Sequence, residues 1–205
     1  MLQLTQSMIQ EAIQAYRVDS KQRYGDLFSD EMLGHYRRAA VLIPMLEIER
    51  EWHVLLTQRS HTLVEHKGQV AFPGGARERQ DKDLSHTALR EVHEEVGVKP
   101  EDVHVFGHLG DMPVITGYLV RPYVGQIPWP YPLEISNDEV HSVFIIPLHW
   151  LANPRNRTIQ FRSYAGREFS VIFFEPYDGY QLWGASAEMT LALLSALGLA
   201  EIGHS

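Results

Sequence analysis

The chain has 205 residues, 44% of them hydrophobic, with a formal net charge of −8 and no cysteine. That is enough apolar material for one domain with a real core, and the acidic balance argues against nucleic acid as a partner. The lack of cysteine excludes disulfides and thiol chemistry, which fits a cytoplasmic protein. No apolar run approaches the roughly 20 residues of a membrane span, so no membrane association is expected.

The N-terminus, MLQLTQSMIQEAIQ, has neither the basic start nor the apolar run of a secretory signal, and its early acids argue against a transit peptide. Met8, Ile9, Ala12, Ile13 and Tyr16 recur at helical spacing, and Asp30 is the expected cap of a second helix running through Arg38. Residues 1–38 therefore read as a helical extension packed on the core, with a contact between two copies of the chain, a homodimer, left open. Residues 39–205 read as a single domain. AAVLIPMLEI (Ala39–Ile48) is a buried strand, and EREW turns the chain into HVLLTQRS (His53–Ser60), a hairpin. Residues 61–68 form a loop, and QVAFPGG a short strand ending at the Pro-Gly-Gly break.

Next comes the stretch with the strongest pattern. Leu84, Ala88, Leu89, Val92 and Val96 mark one buried helix face, with Asp83 as N-cap and Gly97 as the C-terminal stop. Glu91, Glu94 and Glu95 fall beside that face at spacings of three and four, so their carboxylates are expected to converge on one patch. Like charges at such spacing cost roughly 0.2–0.5 kcal/mol per pair, and partial burial raises that cost. Arg90, four residues before Glu94, offsets one charge but not three. A hard divalent cation such as Mg²⁺ resolves the rest, since it prefers carboxylate oxygens, water and phosphate oxygens. The alternative is an ordinary solvated acidic face.

Beyond the helix, strands are expected at Val103–Leu109, Tyr118–Ile127 and Val140–Leu148, separated by the Pro-rich loop Pro128–Glu139. A short helix near His149–Leu151 follows, then a hairpin turning at Ala165-Gly166 and a closing helix from about Ser186 to Leu197. Strands and helices mixed in this way within one domain define an α/β (α+β) protein.

REVHEEVGV (Arg90–Val98) fits the second half of the Nudix box, R-E-U-x-E-E-x-G-U with U a bulky aliphatic, at every fixed position. LLTQRSHTLVEHKGQVAFPGG (Leu55–Gly75) is similar to the additional signature of the coenzyme A pyrophosphatase branch, L-L-T-x-R-S/A-x3-R-x3-G-x3-F-P-G-G. The chain thus resembles the Nudix hydrolases of that branch over Leu55–Val98, and in general character from about Ala39 onward. Two departures stand out. Val64 occupies the place of an arginine, and the spacing back from Arg90 puts Lys82 and Ala76 where the general box has glutamate and glycine. A loop one residue longer makes Gly75 the glycine and passes the acidic role to Asp81 or Asp83; the branch resembles this chain in having such an Asp-bearing loop.

The resemblance implies the Nudix fold, a mixed β-sheet sandwiched between α-helices with the box as loop-helix-loop. It implies a Mg²⁺- or Mn²⁺-dependent enzyme in which Glu91 and Glu95 are primary metal ligands. Glu94 assists as ligand or catalytic group, the Gly75 carbonyl is a further ligand, and Arg90 orients Glu94 or a neighbouring carboxylate. Nudix enzymes often place a base or extra ligand on a loop before a late strand; Glu139 sits there, with Asp138, Glu65 and Glu134 as competitors. For substrate contacts, Arg59 is fixed in the branch signature and its guanidinium suits phosphate; His66, Lys67 and Gln69 share its loop. Phe72 and Pro73 more naturally shape that loop, and the Trp183-Gly184 tip either lines the site or is a buried aromatic.

The 11 histidines do not form a helical H-x3-H zinc pair, and no cysteine completes one. GGARER lacks the G-K-S/T ending of a Walker loop, and no G-x-S-x-G elbow occurs. The implied substrate is a small molecule, coenzyme A or a derivative, cleaved at its pyrophosphate to 3′,5′-ADP and 4′-phosphopantetheine (or an acyl-phosphopantetheine). One alternative is another nucleoside diphosphate derivative, such as ADP-ribose, a dinucleotide or a nucleoside triphosphate. A second, of another class, is a nucleotide-sensing module without turnover.

Overall fold

The structure is a computed structural model, and it describes residues 4–17, 28–60, 68–164 and 167–201. Strands β1 (Arg37–Ile48) and β2 (Glu51–Arg59) form a hairpin whose turn residues, Glu49 and Arg50, both have positive φ. That is the backbone twist a tight two-residue hairpin requires. Two short strands follow, β3 (Val70–Ala71) and β4 (Gly74–Ala76), then β5 (His104–His108), β6 (Met112–Val114), β7 (Tyr118–Gln126) and β8 (Val140–Pro147). These eight form one mixed sheet whose only parallel pair among the described residues is β1 with β7. A separate antiparallel hairpin joins β9 (Arg157–Tyr164) to β10 (Arg167–Phe174).

Among the described residues, five α-helices accompany the strands: α1 (Gln6–Ala15), α2 (Asp30–Gly34), α3 (Leu84–Val96), α4 (Leu148–Ala152) and α5 (Gly184–Ala196). Alternation along the central strands sends side chains to two separate cores. On one face Ala40, Leu42, Leu46, Leu55, Tyr123 and Ile127 pack against Leu84, Ala88, Val92 and Val96 of α3. On the other, Ile43, Met45, Val54, Leu56, Phe106 and Val124 meet Ile9 and Ile13 of α1, Leu148 and Leu151 of α4, and Ala192 and Leu193 of α5. Each fully buried aliphatic side chain of this kind contributes about 1.5–3 kcal/mol. The result is a sheet between helices, the α/β class expected from the sequence. No helix among the described residues is long and apolar enough to cross a membrane.

Several local expectations need correction. The second helix is capped by Ser29, whose hydroxyl accepts from the Met32 amide, and it stops at Gly34. Arg37 and Arg38 are already in β1, paired with Tyr118 and Leu119 of β7, so long-range pairing overrides their helical propensity. QVAFPGG is two strands rather than one. Val70 and Ala71 pair with β2, whereas Gly74 to Ala76 cross to β1, because Phe72 is buried and Pro73 has no amide to give a ladder. Strand β6 carried no recognised signal at all.

That crossing shapes the site. β7 pairs along one edge of β1 from Arg37 to Met45; the opposite edge is divided, β4 taking Ala39–Val41 and β2 taking Met45–Ile48. In the gap, the Leu42 amide donates to the Pro73 carbonyl at 2.9 Å. The fork places Gly74 and Gly75 directly against α3.

Candidate active site

Helix α3 begins and ends as its sequence dictates. The Asp83 carboxylate accepts from the His86 amide at 2.9 Å, and Gly97 closes the helix in the left-handed conformation, φ 75°. Its buried face, however, comprises Leu84, Thr87, Ala88, Val92, Glu95 and Val96, with Leu89 only partly covered. Glu95 therefore belongs to the buried stripe rather than lying beside it.

The three glutamates consequently occupy three environments. Glu95 retains 2% of its exposure. Glu91 is largely covered, its side chain 13% exposed, and Glu94 is half in solvent at 51%. Glu94 points to Arg90, which donates to it at 2.7 Å while holding Glu91 at 2.9 Å. Among the described residues no three His, Asp or Glu side chains gather tightly enough to form a ready-made metal cage. The single converging patch expected from spacing is thus divided: buried Glu95 feels the charge of Glu91 and makes a pair with it, while half-exposed Glu94 shares Arg90 Nη1 with Glu91.

Gly75 lies against that pair. A Cβ there would run into the Glu91 carboxylate, with Oε1 nearest and Cδ at 2.6 Å. Only glycine lets the backbone come so close.

Arg90 is anchored from behind. Its Nε and Nη2 donate to the two oxygens of Asp81 at 3.0 and 3.1 Å, and Nη2 also reaches the Ala76 carbonyl at 3.2 Å. Asp81 further accepts from the Glu78 amide and the Thr87 hydroxyl, both at 2.9 Å, and contacts His86 Nδ1 at 3.1 Å. The Arg90 guanidinium, reinforced by those donors, holds the Asp81 carboxyl far below the usual carboxylate range despite its burial. Of the two acids offered by the longer loop, Asp81 takes Arg90 and Asp83 takes the helix cap. Both are legible in the sequence; their division of labour is not.

Glu95 is the opposite case. Burial pushes its carboxyl up to about 8; the Arg59 charge and a hydrogen bond from the Gly74 backbone pull it down, while Glu91 and Glu139 push it further up. Burial likewise raises Glu91, against the opposing charge of Arg90. Glu139, unlike Asp138 or Glu134, is among the leading charges acting on both glutamates. It is exposed, and its carbonyl accepts from the Ser60 amide at 2.8 Å. Glu134 instead sits at the end of α3, its amide donating to the Val96 carbonyl.

Arg59 arrives from β2. Its amide donates to the Gln69 carbonyl at 2.9 Å, and the Gly68 amide returns a bond to the Arg59 carbonyl at 3.2 Å. The β2–β8 register slips between Gln58 and Arg59, leaving His141 as an extra residue on β8. Such a bulge re-aims the side chain at the slip. It left no signal in the sequence. Val64, Glu65, His66 and Lys67 lie outside the described residues. Phe72 is buried and shapes the fork, and Trp183 stacks on Phe173, centroids 5.6 Å apart, with 39% exposure, so it is not the buried aromatic considered above.

Among the described residues, two buried polar atoms at this place have no hydrogen-bond partner: Glu95 Oε2 and Arg59 Nε. Buried groups of this kind are rare in native proteins and point to a function. The acids Glu91 and Glu95 and the close Gly75 backbone offer oxygen donors only, the set that hard divalent cations take. The residues fit Mg²⁺ or Mn²⁺.

The NUDIX domain family model matches residues 35–166, well over half of the chain. The chain belongs to the Nudix family, and it is a Nudix hydrolase acting on a pyrophosphate bond. Among its relatives, the uncharacterized Nudix hydrolase NudL of Citrobacter koseri is 41% identical over 163 residues, covering 80% of this chain and 84% of that protein. NudL of Escherichia fergusonii is 40% identical over 169 residues, covering 82% and 86%. A solved structure, the Ap4A hydrolase binary complex of C. elegans, superposes with a TM-score of 0.47 at 20% identity, over 54% of this chain and 80% of that one. Nudix hydrolases generally use divalent metal ions.

Proposed function

We propose that this enzyme hydrolyses the pyrophosphate of coenzyme A or its derivatives, releasing 3′,5′-ADP and 4′-phosphopantetheine. The observation that carries the hydrolytic reading is the pair of orphaned atoms: a buried carboxylate oxygen of Glu95 and, acting on the same carboxylate, a guanidinium with an unpartnered Nε. One calls for a cation and the other for an anion, as a metal-bound phosphoanhydride supplies. The choice of coenzyme A is supported by the resemblance of Leu55–Gly75 to the branch signature, and by the Asp-bearing loop that delivers Asp81 to Arg90.

In this reading Glu91 and Glu95 hold the metal, with the Gly75 carbonyl as a further ligand and Glu94 assisting from its place on Arg90. Bound there, Mg²⁺ or Mn²⁺ would supply positive charge to offset that of the phosphate oxygens. Arg59 and Gln69, with His66 and Lys67 of the same loop, bind the phosphates and orient the substrate. Glu139 takes a proton from the attacking water, whose oxygen bonds to phosphorus while the bridging oxygen leaves with the other product. Arg90 acts through the carboxylates it holds. The reading treats residues 39–205 as one Nudix domain, with the N-terminal helical segment as an appendage, working in the cytoplasm.

Incubation with coenzyme A, with and without Mg²⁺ or Mn²⁺ and with products read by mass spectrometry, tests it. Metal-dependent release of the two products is expected. Survival of coenzyme A with turnover of ADP-ribose, a dinucleotide or a nucleoside triphosphate would move the substrate to that class, the reading favoured by Val64 in place of the signature arginine. Tight binding without any product would make the protein a sensor. Glu94→Gln and Glu95→Gln should each lower turnover; near-normal activity in both would remove the metal-site argument.

A further inference from the structure

A chain of side-chain hydrogen bonds enters the site from the opposite face of the sheet. The Tyr180 hydroxyl donates to Ser142 Oγ at 3.1 Å, Ser142 Oγ donates to Gln58 Oε1 at 3.3 Å, and Gln58 Nε2 donates to the Gly68 carbonyl at 3.3 Å. Donor and acceptor capacities match along the whole chain. Tyrosine donates, serine accepts and donates, the amide accepts at oxygen and donates at nitrogen, and a carbonyl ends it.

The chain is held at its head and delivered at its foot. Gln58 and Ser142 are register partners on β2 and β8, and Phe144, two residues along β8 on the same face, is buried. The Tyr180 ring lies flat on Phe144, centroids 4.0 Å apart and planes within 4°. A flat ring on a buried ring leaves the hydroxyl little freedom except along its plane. The foot is the Gly68 carbonyl, which belongs to the same rigid peptide unit as the Gln69 amide. Gly68 has φ 67°, and its amide donates to Arg59. Fixing this carbonyl fixes the Gly68–Gln69 peptide, which joins the two peptide units that bond to Arg59, through the Gly68 amide and the Gln69 carbonyl, and so steadies Arg59 beside the β8 bulge.

Resting on the phosphate-binding role of Arg59 and Gln69 just set out, we infer that Tyr180 is a positioning residue for substrate binding. It acts through Ser142 and Gln58 to hold the Arg59–Gln69 edge in its binding geometry. It touches neither substrate nor reacting atoms. Its place, in the segment between β10 and α5, ties the C-terminal part of the chain to an edge that lies more than a hundred residues earlier in sequence.

The test uses the full chain and four variants: Tyr180→Phe, which keeps the ring stack, Ser142→Ala, their double, and Ser142→Thr, which keeps the hydroxyl. Amide hydrogen exchange over residues 58–70 is measured alongside kcat, KM and Tm. For Tyr180→Phe, exchange in that segment should quicken and KM should rise about 3- to 10-fold, with kcat within about twofold and Tm little changed. Ser142→Ala should do the same, the double should be no worse than the poorer single, and Ser142→Thr should behave as wild type. Unchanged exchange in Tyr180→Phe, additive effects in the double, or a loss confined to Tm would overturn the inference. If wild type turns over no phosphoanhydride, the functional reading fails, while the exchange data still decide whether the chain holds the edge.

Discussion

Asp81 and Glu95 are each only 2% exposed, Asp81 just beneath the surface and Glu95 deep in the fold, and their carboxyls move in opposite directions. Asp81 is filled: Arg90 twice, Thr87, the Glu78 amide and His86 satisfy its oxygens, and it titrates below the ordinary range. Glu95 is unfilled: one oxygen has no partner, neighbouring acids repel it, and burial pushes it up to about 8. Low exposure alone, then, does not set the state of an acid. What decides is how deep the carboxyl lies together with the donors that reach it. On the proposed function, the filled acid serves the scaffold and the unfilled one the chemistry.

Several experiments break or sharpen that contrast. The largest effect belongs to Glu95→Gln, which should lower turnover by about three orders of magnitude. Its Tm should hold, because burial already favours the neutral carboxyl and the amide that replaces it is neutral and of the same shape. A large Tm loss with turnover intact would place Glu95 in the scaffold instead.

Asp81→Asn should do the reverse. Removing the charge opposite Arg90 should cost about 3 kcal/mol, and lower Tm by about 6–12 °C, in thermal melts. The pH dependence carries the same signature. The folded Asp81 carboxyl lies below its unfolded value of about 4, so its stabilisation is complete above that value and is lost as pH falls through the folded one. Wild type should lose stability between about pH 5 and pH 2 more steeply than Asp81→Asn does. Parallel curves would contradict the assignment.

Gly75→Ala should leave the fold intact and lower turnover by about 10- to 100-fold, since the new methyl displaces the Glu91 carboxylate. Wild-type kinetics in this variant would mean that the close approach has no functional purpose. The smallest effect is expected from Asp83→Ala. It removes the cap from the His86 amide and should cost about 1 kcal/mol by denaturant unfolding, with turnover within about twofold of wild type.

Much of the site was legible because its signals are local. Helix α3 announces itself by apolar spacing, by the Asp83 cap and by the Gly97 stop, and the structure keeps all three. The Arg90–Glu94 pair follows from a spacing of four. The parts that were not legible depend on partners distant in sequence. Strand β4 leaves β2 for β1 because of what Ala39–Val41 offer, the bulge at His141 exists only in the β2–β8 register, and Ser142 meets Tyr180 only after the C-terminal segment folds back.

The sequence by itself determined the family, the central helix with its ends, and the set of residue types present: five acids, a glycine and two arginines. Local spacing and capping chemistry suffice for that, because they involve atoms within a turn or two of one another. Only the tertiary structure decided the surroundings of each acid. Glu91, Glu94 and Glu95 are chemically identical and adjacent on one helix. They differ because β4 covers one side of that helix, Arg90 claims another, and water reaches the third. Burial and pairing are properties of the assembled fold, and they separate a filled carboxylate from one with an oxygen left over.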